Sequence, residues 1–256
     1  MKIAVSGKGG VGKSTVAAAI ALTLAKRGQN ILALDADPDA NLAGALGVPK
    51  SAGIRPLSSE LKLIEERTGV KINEYGKVFK LNPEVSDIAG KFGFEYNGVN
   101  LVVLGAAGRG GGGCACPENT FARSLVTDLV LYKNETLVMD MEAGIEHLGR
   151  GTAAGVGVMI IVVEPGRRSV DCALTVMRMG GELGIKRFIV AGNKIASKSD
   201  EEYIKAELPD YKIAAFMPYA DNIRDADRDG VSVLDAMTSE QVKIIEGLIN
   251  IIEIER

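Results

Sequence analysis

The stretch GKGGVGKST, residues 7–15, sets Gly7, Gly12, Lys13 and Ser14 at the spacing G-x-x-x-x-G-K-[ST], a pattern whose chemistry is the capture of phosphate. Glycines let successive backbone N–H groups turn inward as an anion nest, and a helix starting at the loop's end adds partial positive charge. The implied binding set is Gly9, Gly10, Val11, Gly12, Lys13, Ser14 and Thr15. Lys13 would reach the β- and γ-phosphates of a nucleotide, and the Ser14 hydroxyl would sit on Mg²⁺. Farther along, LALDADPDAN (32–41) places Asp35 and Asp37 two apart, on one side of an extended chain. LVMD (137–140) ends on a third carboxylate, Asp140.

A second chemistry is suggested by GRGGGGCACPENT (108–120), which holds Cys114 and Cys116, two of the three cysteines. Thiolates two apart in an extended segment point the same way. They make a two-sulfur claw and a poor internal disulfide. Stable thiolate sites for Zn²⁺, like Fe–S clusters, generally take four ligands. Cys172 lies among apolar residues of a helical candidate and reads as a packing residue. One chain is therefore short of ligands, whereas two chains around a two-fold axis would bring four sulfurs together. An incidental or redox-sensing pair is the alternative. His147, the only histidine, reads as solvent-facing or hydrogen-bonded rather than as a ligand or base.

These residues need a scaffold, and the pattern of apolar runs describes one. KIAVS (2–6), NILALD (30–35), NLVVLG (100–105), TLVMD (136–140), VMIIVVE (158–164), FIVAGN (188–193) and IAAFMP (213–218) are short and nearly all apolar. Such runs suit strands buried on both faces. Helical candidates separate most of them, among them STVAAAIALTLAKRG (14–28), PENTFARSLVTDLVLYK (117–133) and RSVDCALTVMRMGGELG (168–184). The order strand, helix, strand predicts an α/β fold with a mostly parallel β-sheet of about seven strands flanked by helices on both faces. Residues 1–256 read as one P-loop ATPase domain, with a polar insertion at about 50–98. The end, SEQVKIIEGLINIIEIER (239–256), is an amphipathic helix with more acid than base. It is expected to pack on the body, since a membrane-surface helix carries Lys and Arg on its polar face.

Composition narrows the partners. A net charge of −3 with scattered Lys and Arg offers no basic field for nucleic acid. No apolar stretch approaches the roughly 20 residues of a membrane span, and the opening MKIAVSG lacks the build of a signal peptide. Neither nucleic acid nor membrane is expected as a partner. The expected compartment is the cytoplasm, where cysteines serve metal or redox roles rather than disulfide frameworks.

Lys8, a second lysine early in the phosphate loop, resembles the deviant loop of the MinD/ParA/nitrogenase-iron-protein class. That resemblance implies that Lys8 crosses a dimer interface to the partner's nucleotide. It also makes Asp35 a second-shell partner of Mg²⁺, Asp37 the residue that positions the attacking water, and Asp140 a Walker-B carboxylate holding the metal through water. Asn193 is placed like the adenine-reading Asn of these ATPases. MPYADN (217–222), with Pro218, resembles the segment that closes over the base. GGGGCACPENTFARSL, DMEAGIEHLGRGT and VVEPGRRSVDCA narrow the resemblance to the CooC-type accessory ATPases that help insert nickel into carbon monoxide dehydrogenase. The similarity runs over essentially the whole chain.

The resemblance implies a homodimeric, ATP- and Mg²⁺-dependent ATPase cycling between ATP and ADP. It implies Ni²⁺ or Zn²⁺ shared across the dimer at Cys114/Cys116, and a carbon monoxide dehydrogenase client. Thiolates also accept Cu(I) or Fe–S, so nickel comes from the resemblance alone. An ATP-driven Fe–S electron donor is the alternative closest in chemistry, although its four ligands come from well-separated cysteines. A spatial organiser of the MinD/ParA kind leaves the thiol pair unexplained.

Overall fold

The computed structural model describes residues 1–71, 78–106, 117–144 and 148–254. Its strands are β1 (Lys2–Ser6), β2 (Ile31–Asp35), β3 (Phe94–Tyr96), β4 (Val99–Val103), β5 (Thr136–Asp140), β6 (Val158–Val163), β7 (Phe188–Ile195) and β8 (Lys212–Pro218). They form one sheet in the order β3-β4-β2-β5-β1-β6-β7-β8. Every neighbouring pair is parallel except β3 and β4. The seven apolar runs are seven of these strands.

The eighth, β3, is a short edge strand with no apolar run to announce it. It turns back on β4 through Asn97 and Gly98, both at positive φ (49° and 76°). Asn-Gly is the dipeptide that favours this tight hairpin, so a local signal for β3 was present in the turn rather than in the strand.

Helices between the strands are α1 (Lys13–Lys26), α2 (Leu42–Ala45), α3 (Leu61–Thr68), α4 (Ile88–Phe92), α5 (Pro117–Leu131), α6 (Arg150–Ala153), α7 (Arg167–Leu183) and α8 (Lys198–Glu207), and α9 (Asp221–Asp229), α10 (Val233–Ala236) and α11 (Ser239–Ile254) follow the last strand. Side chains alternate across the sheet with the strand period. Thus Ile3, Val5, Val158, Ile160 and Val162 join α1, α10 and α11 in one core. Ala4, Met159, Ile161 and Val163 join α3, α5, α7 and α8 in the other.

Within 50–98, Leu57, Ile64, Val85, Ile88 and Ala89 are buried in this second core. The polar segment is therefore anchored by a minority of apolar residues. α11 buries Ile245, Leu248, Ile249 and Ile252 against the body, as its amphipathic pattern predicts. No helix among the described residues is long and apolar enough to cross a membrane.

Seven parallel strands end at the same edge of the sheet. In open α/β sheets that edge is where ligands bind. Here it gathers the phosphate loop after β1, Asp35 and Asp37 at and beyond the end of β2, Asp140 closing β5, Glu164 after β6, Asn193 and Lys194 in β7, and Pro218 closing β8.

Candidate functional site

A cleft of about 760 Å³ opens at this edge, lined by Gly9, Gly10, Gly12, Lys13, Ser14 and Thr15, by Asp37 and Asn193, and by Pro218. Sequence residues far apart in the chain are thus brought to one cavity. Val11 is fully buried behind the loop, and its carbonyl accepts a hydrogen bond from Asn193 Nδ2 at 2.7 Å. Gly12 caps α1 in a left-handed conformation, φ 96°. A Cβ there would fall against the Asn193 amide nitrogen and displace it from its place, and the backbone angle itself favours glycine. α1 then presents its first N–H groups, with no side-chain cap. That is the arrangement an anion would complete.

Three lysines at this edge of the sheet are paired with carboxylates. Lys13 Nζ lies 3.1 Å from Asp37 Oδ2, with both side chains buried. Lys8 Nζ lies 3.2 Å from Glu164 Oε1, within the same chain. Lys194 Nζ reaches the other oxygen of Glu164 at 3.6 Å and donates to the Gly10 carbonyl at 2.6 Å. Glu164 and Lys194 carried no assignment from sequence. Lys194 directly follows Asn193, and Glu164 directly follows a strand, but neither position has a type or spacing that marks it.

Asp35 and Asp140 are register partners on adjacent strands and fully buried. Burial pushes the Asp35 carboxyl up to about 7, with the neighbouring Asp140 charge adding to the effect. Its oxygens accept from Leu42 N–H at 2.9 Å and from Asp37 N–H at 3.3 Å, which shapes the turn after β2. Asp140 is pushed up to about 6, again first by burial, with Ser14 and Lys13 easing the shift. Neither Asp140 oxygen has a hydrogen-bond partner among the described residues. A buried carboxylate without a partner is costly, and Mg²⁺ with its waters, held beside Ser14, is a group that these residues fit.

A pH dependence follows. Both carboxyls titrate higher in the folded protein than in the unfolded chain, so the folded state holds more protons between about pH 4 and 7. Stability from these groups is fully present below the unfolded value and is lost as pH rises through that window. Mg²⁺ with nucleotide, favouring ionised Asp140, is expected to recover it. The rise in Tm on adding Mg²⁺ and ATP should be about 3–5 °C larger at pH 8 than at pH 5. Thermal denaturation across pH measures this, and a ligand-induced rise independent of pH would contradict it.

Cys114, Cys116 and His147 lie outside the described residues. Cys172 lies on α7, half-buried and packed against the core that contains α5 and α7, where burial pushes its thiol up. A raised thiol is a poor thiolate ligand.

Residues 2–233 match the family model described as the CobQ/CobB/MinD/ParA nucleotide binding domain. The chain is 41% identical to the carbon monoxide dehydrogenase accessory protein CooC of Rhodospirillum rubrum, covering 92% of this chain and 90% of that one. It is 38% identical to an uncharacterised ATP-binding protein of Methanocaldococcus jannaschii, over 96% of each chain. Among solved structures, the MinD cell division protein of Aquifex aeolicus superimposes with a TM-score of 0.68 at 21% identity, over 99% of this chain and 98% of that one. A ParA family ATPase from Chlorobium tepidum gives 0.69 at 18% identity, over 95% and 96%. At such identities these two speak for the fold alone.

Proposed function

The chain belongs to the CobQ/CobB/MinD/ParA nucleotide-binding family and is an ATPase; from that premise we propose that it works as a homodimeric nickel-maturation factor for carbon monoxide dehydrogenase. The observation that carries the reading is the extensive identity with a relative named as an accessory protein of that enzyme. The Cys114/Cys116 pair, which offers soft ligands for the metal cargo, supports it.

In the proposed cycle, loop N–H groups and the start of α1 receive the phosphates of ATP. Lys13 leaves Asp37, 3.1 Å away, to lie against the β- and γ-phosphates. Its departure frees the Asp37 carboxylate to orient water toward the γ-phosphorus. Mg²⁺, when bound, would supply positive charge against the triphosphate. Ser14 and the partnerless Asp140 would hold it directly or through water, and Asp35 would steady the turn that carries Asp37. Asn193 would read a base through its side-chain oxygen and its second amide N–H, since one N–H already goes to Val11. Pro218 would bound the base end of the cleft.

Lys8 has two alternative partners in this reading: Glu164 of its own chain, or the nucleotide of the second chain. Pairing of chains across ATP would move it to the second and bring Cys114 and Cys116 of each chain to one axis. Nickel, or zinc in its place, is then held by four sulfurs while two nucleotides are enclosed. Metal and nucleotide are coupled because both depend on the same association.

Native mass spectrometry with and without Ni²⁺ and ATP tests this directly. The expected species is a dimer with one nickel and two nucleotides. A monomer carrying its own stoichiometric nickel would overturn the shared site.

A further inference from the structure

Along a regular strand, consecutive side chains point to opposite faces. β7 breaks that rule where it meets the phosphate loop. Gly192 pairs with Phe216 and Ile195 with Pro218, so Asn193 and Lys194 together face a single residue of β8. This is a bulge, a device that re-aims side chains near functional sites. Within it Lys194 takes φ 58°, a left-handed conformation that a long side chain rarely adopts unless its surroundings hold it there.

What it gains is specific. Asn193 Nδ2 donates to the carbonyl of Val11 at 2.7 Å and Lys194 Nζ to that of Gly10 at 2.6 Å. Two consecutive residues of the strand thus hold two consecutive carbonyls of the loop. The peptide that Lys194 holds by its carbonyl carries the Val11 N–H, which closes a turn on the Lys8 carbonyl at 3.4 Å, and the next peptide, held by Asn193, carries the Gly12 N–H. Fixing both peptides fixes the course of the turn, and an anion nest needs its N–H groups aligned before the ligand arrives. Glu164, 3.6 Å from the Lys194 ammonium, balances its charge without competing for the loop.

We propose that Lys194 is a positioning residue for ATP, one that preorganises the phosphate loop through the Gly10 carbonyl. This rests on the reading of the cleft as the ATP site. The role separates from a merely structural one because the conformation of Lys194 is itself unfavourable for a side chain. Lys194→Gly removes the ammonium and relieves the backbone in one change.

The expected result for Lys194→Gly is a Tm at or above that of the wild type, with ATP affinity weakened and KM raised about tenfold. The kcat should stay within about threefold, since the contact is made equally in ground and transition states. Lys194→Met, which keeps the stem but not the donor, should lose affinity similarly, and Lys194→Arg should recover part of it. Calorimetric titration with ATP, thermal denaturation and steady-state hydrolysis read all three. Wild-type affinity in Lys194→Gly would overturn the proposal, as would affinity losses that simply follow Tm across the three variants. Wild-type titration is the reference, so a failure of the ATP-site reading shows there, and a failure of this assignment only in the variants.

Discussion

Asp37→Asn is expected to slow ATP hydrolysis by about 10²–10³-fold while tightening ATP binding several-fold. The two effects have opposite signs because, in the proposed cycle, Asp37 plays against the nucleotide before it works with it. In the free protein its carboxylate holds Lys13 at 3.1 Å, with both groups buried, so phosphate must win the lysine from a partner it already has. An amide competes far less well for an ammonium, and Lys13 becomes available at lower cost. The same carboxylate adds to the like-charge crowding on Asp35 and Asp140, which its neutralisation relieves. Hydrolysis suffers because an amide accepts a proton from water poorly and orients it less firmly. Single-turnover hydrolysis alongside equilibrium titration separates the two arms. Loss of binding in proportion to loss of turnover would show that Asp37 supports the loop rather than the attacking water.

Cys114→Ala is expected to remove stoichiometric nickel, with affinity falling on the order of a hundredfold or more. Even losses outside the ligand set of a metal site cost about 10–100-fold. The expectation follows from ligand number. Each chain brings two thiols at this pair, so one substitution leaves two sulfurs where the proposed dimeric site takes four. Activation of carbon monoxide dehydrogenase should be lost with the metal, whereas ATP binding by the monomer should be kept. Cys172→Ala is the control. Its half-buried thiol packs on the core and is pushed up by burial, so nickel should stay unchanged there. Equal nickel in Cys114→Ala and the wild type would remove the thiol pair from the account.

How far each feature could be read before folding depends on how local its cause is. The phosphate loop was legible because its residues act within nine positions: Gly12 must take φ 96°, and Lys13 and Ser14 follow it at once. The strands were legible because burial on both faces demands unbroken apolar runs. β3 escaped since a three-residue edge strand has little apolar content, although Asn97–Gly98 carried its turn. The apolar anchors of 50–98 were obscured by the polar residues around them.

The allocation of partners in the cleft belongs to the assembled sheet. Nothing along the chain places Lys8 on Glu164, 156 positions away, or Lys194 on Gly10, 184 positions away. Those contacts arise because parallel strands bring their ends to one edge and because a bulge turns two neighbouring side chains the same way. Residue type and short spacing are enough to specify a loop that can receive phosphate, since backbone angles and local hydrogen bonds decide its shape. Which lysine rests on which carboxylate is a matter of strand order and register, and distances of a few ångströms between remote residues exist only after those have formed.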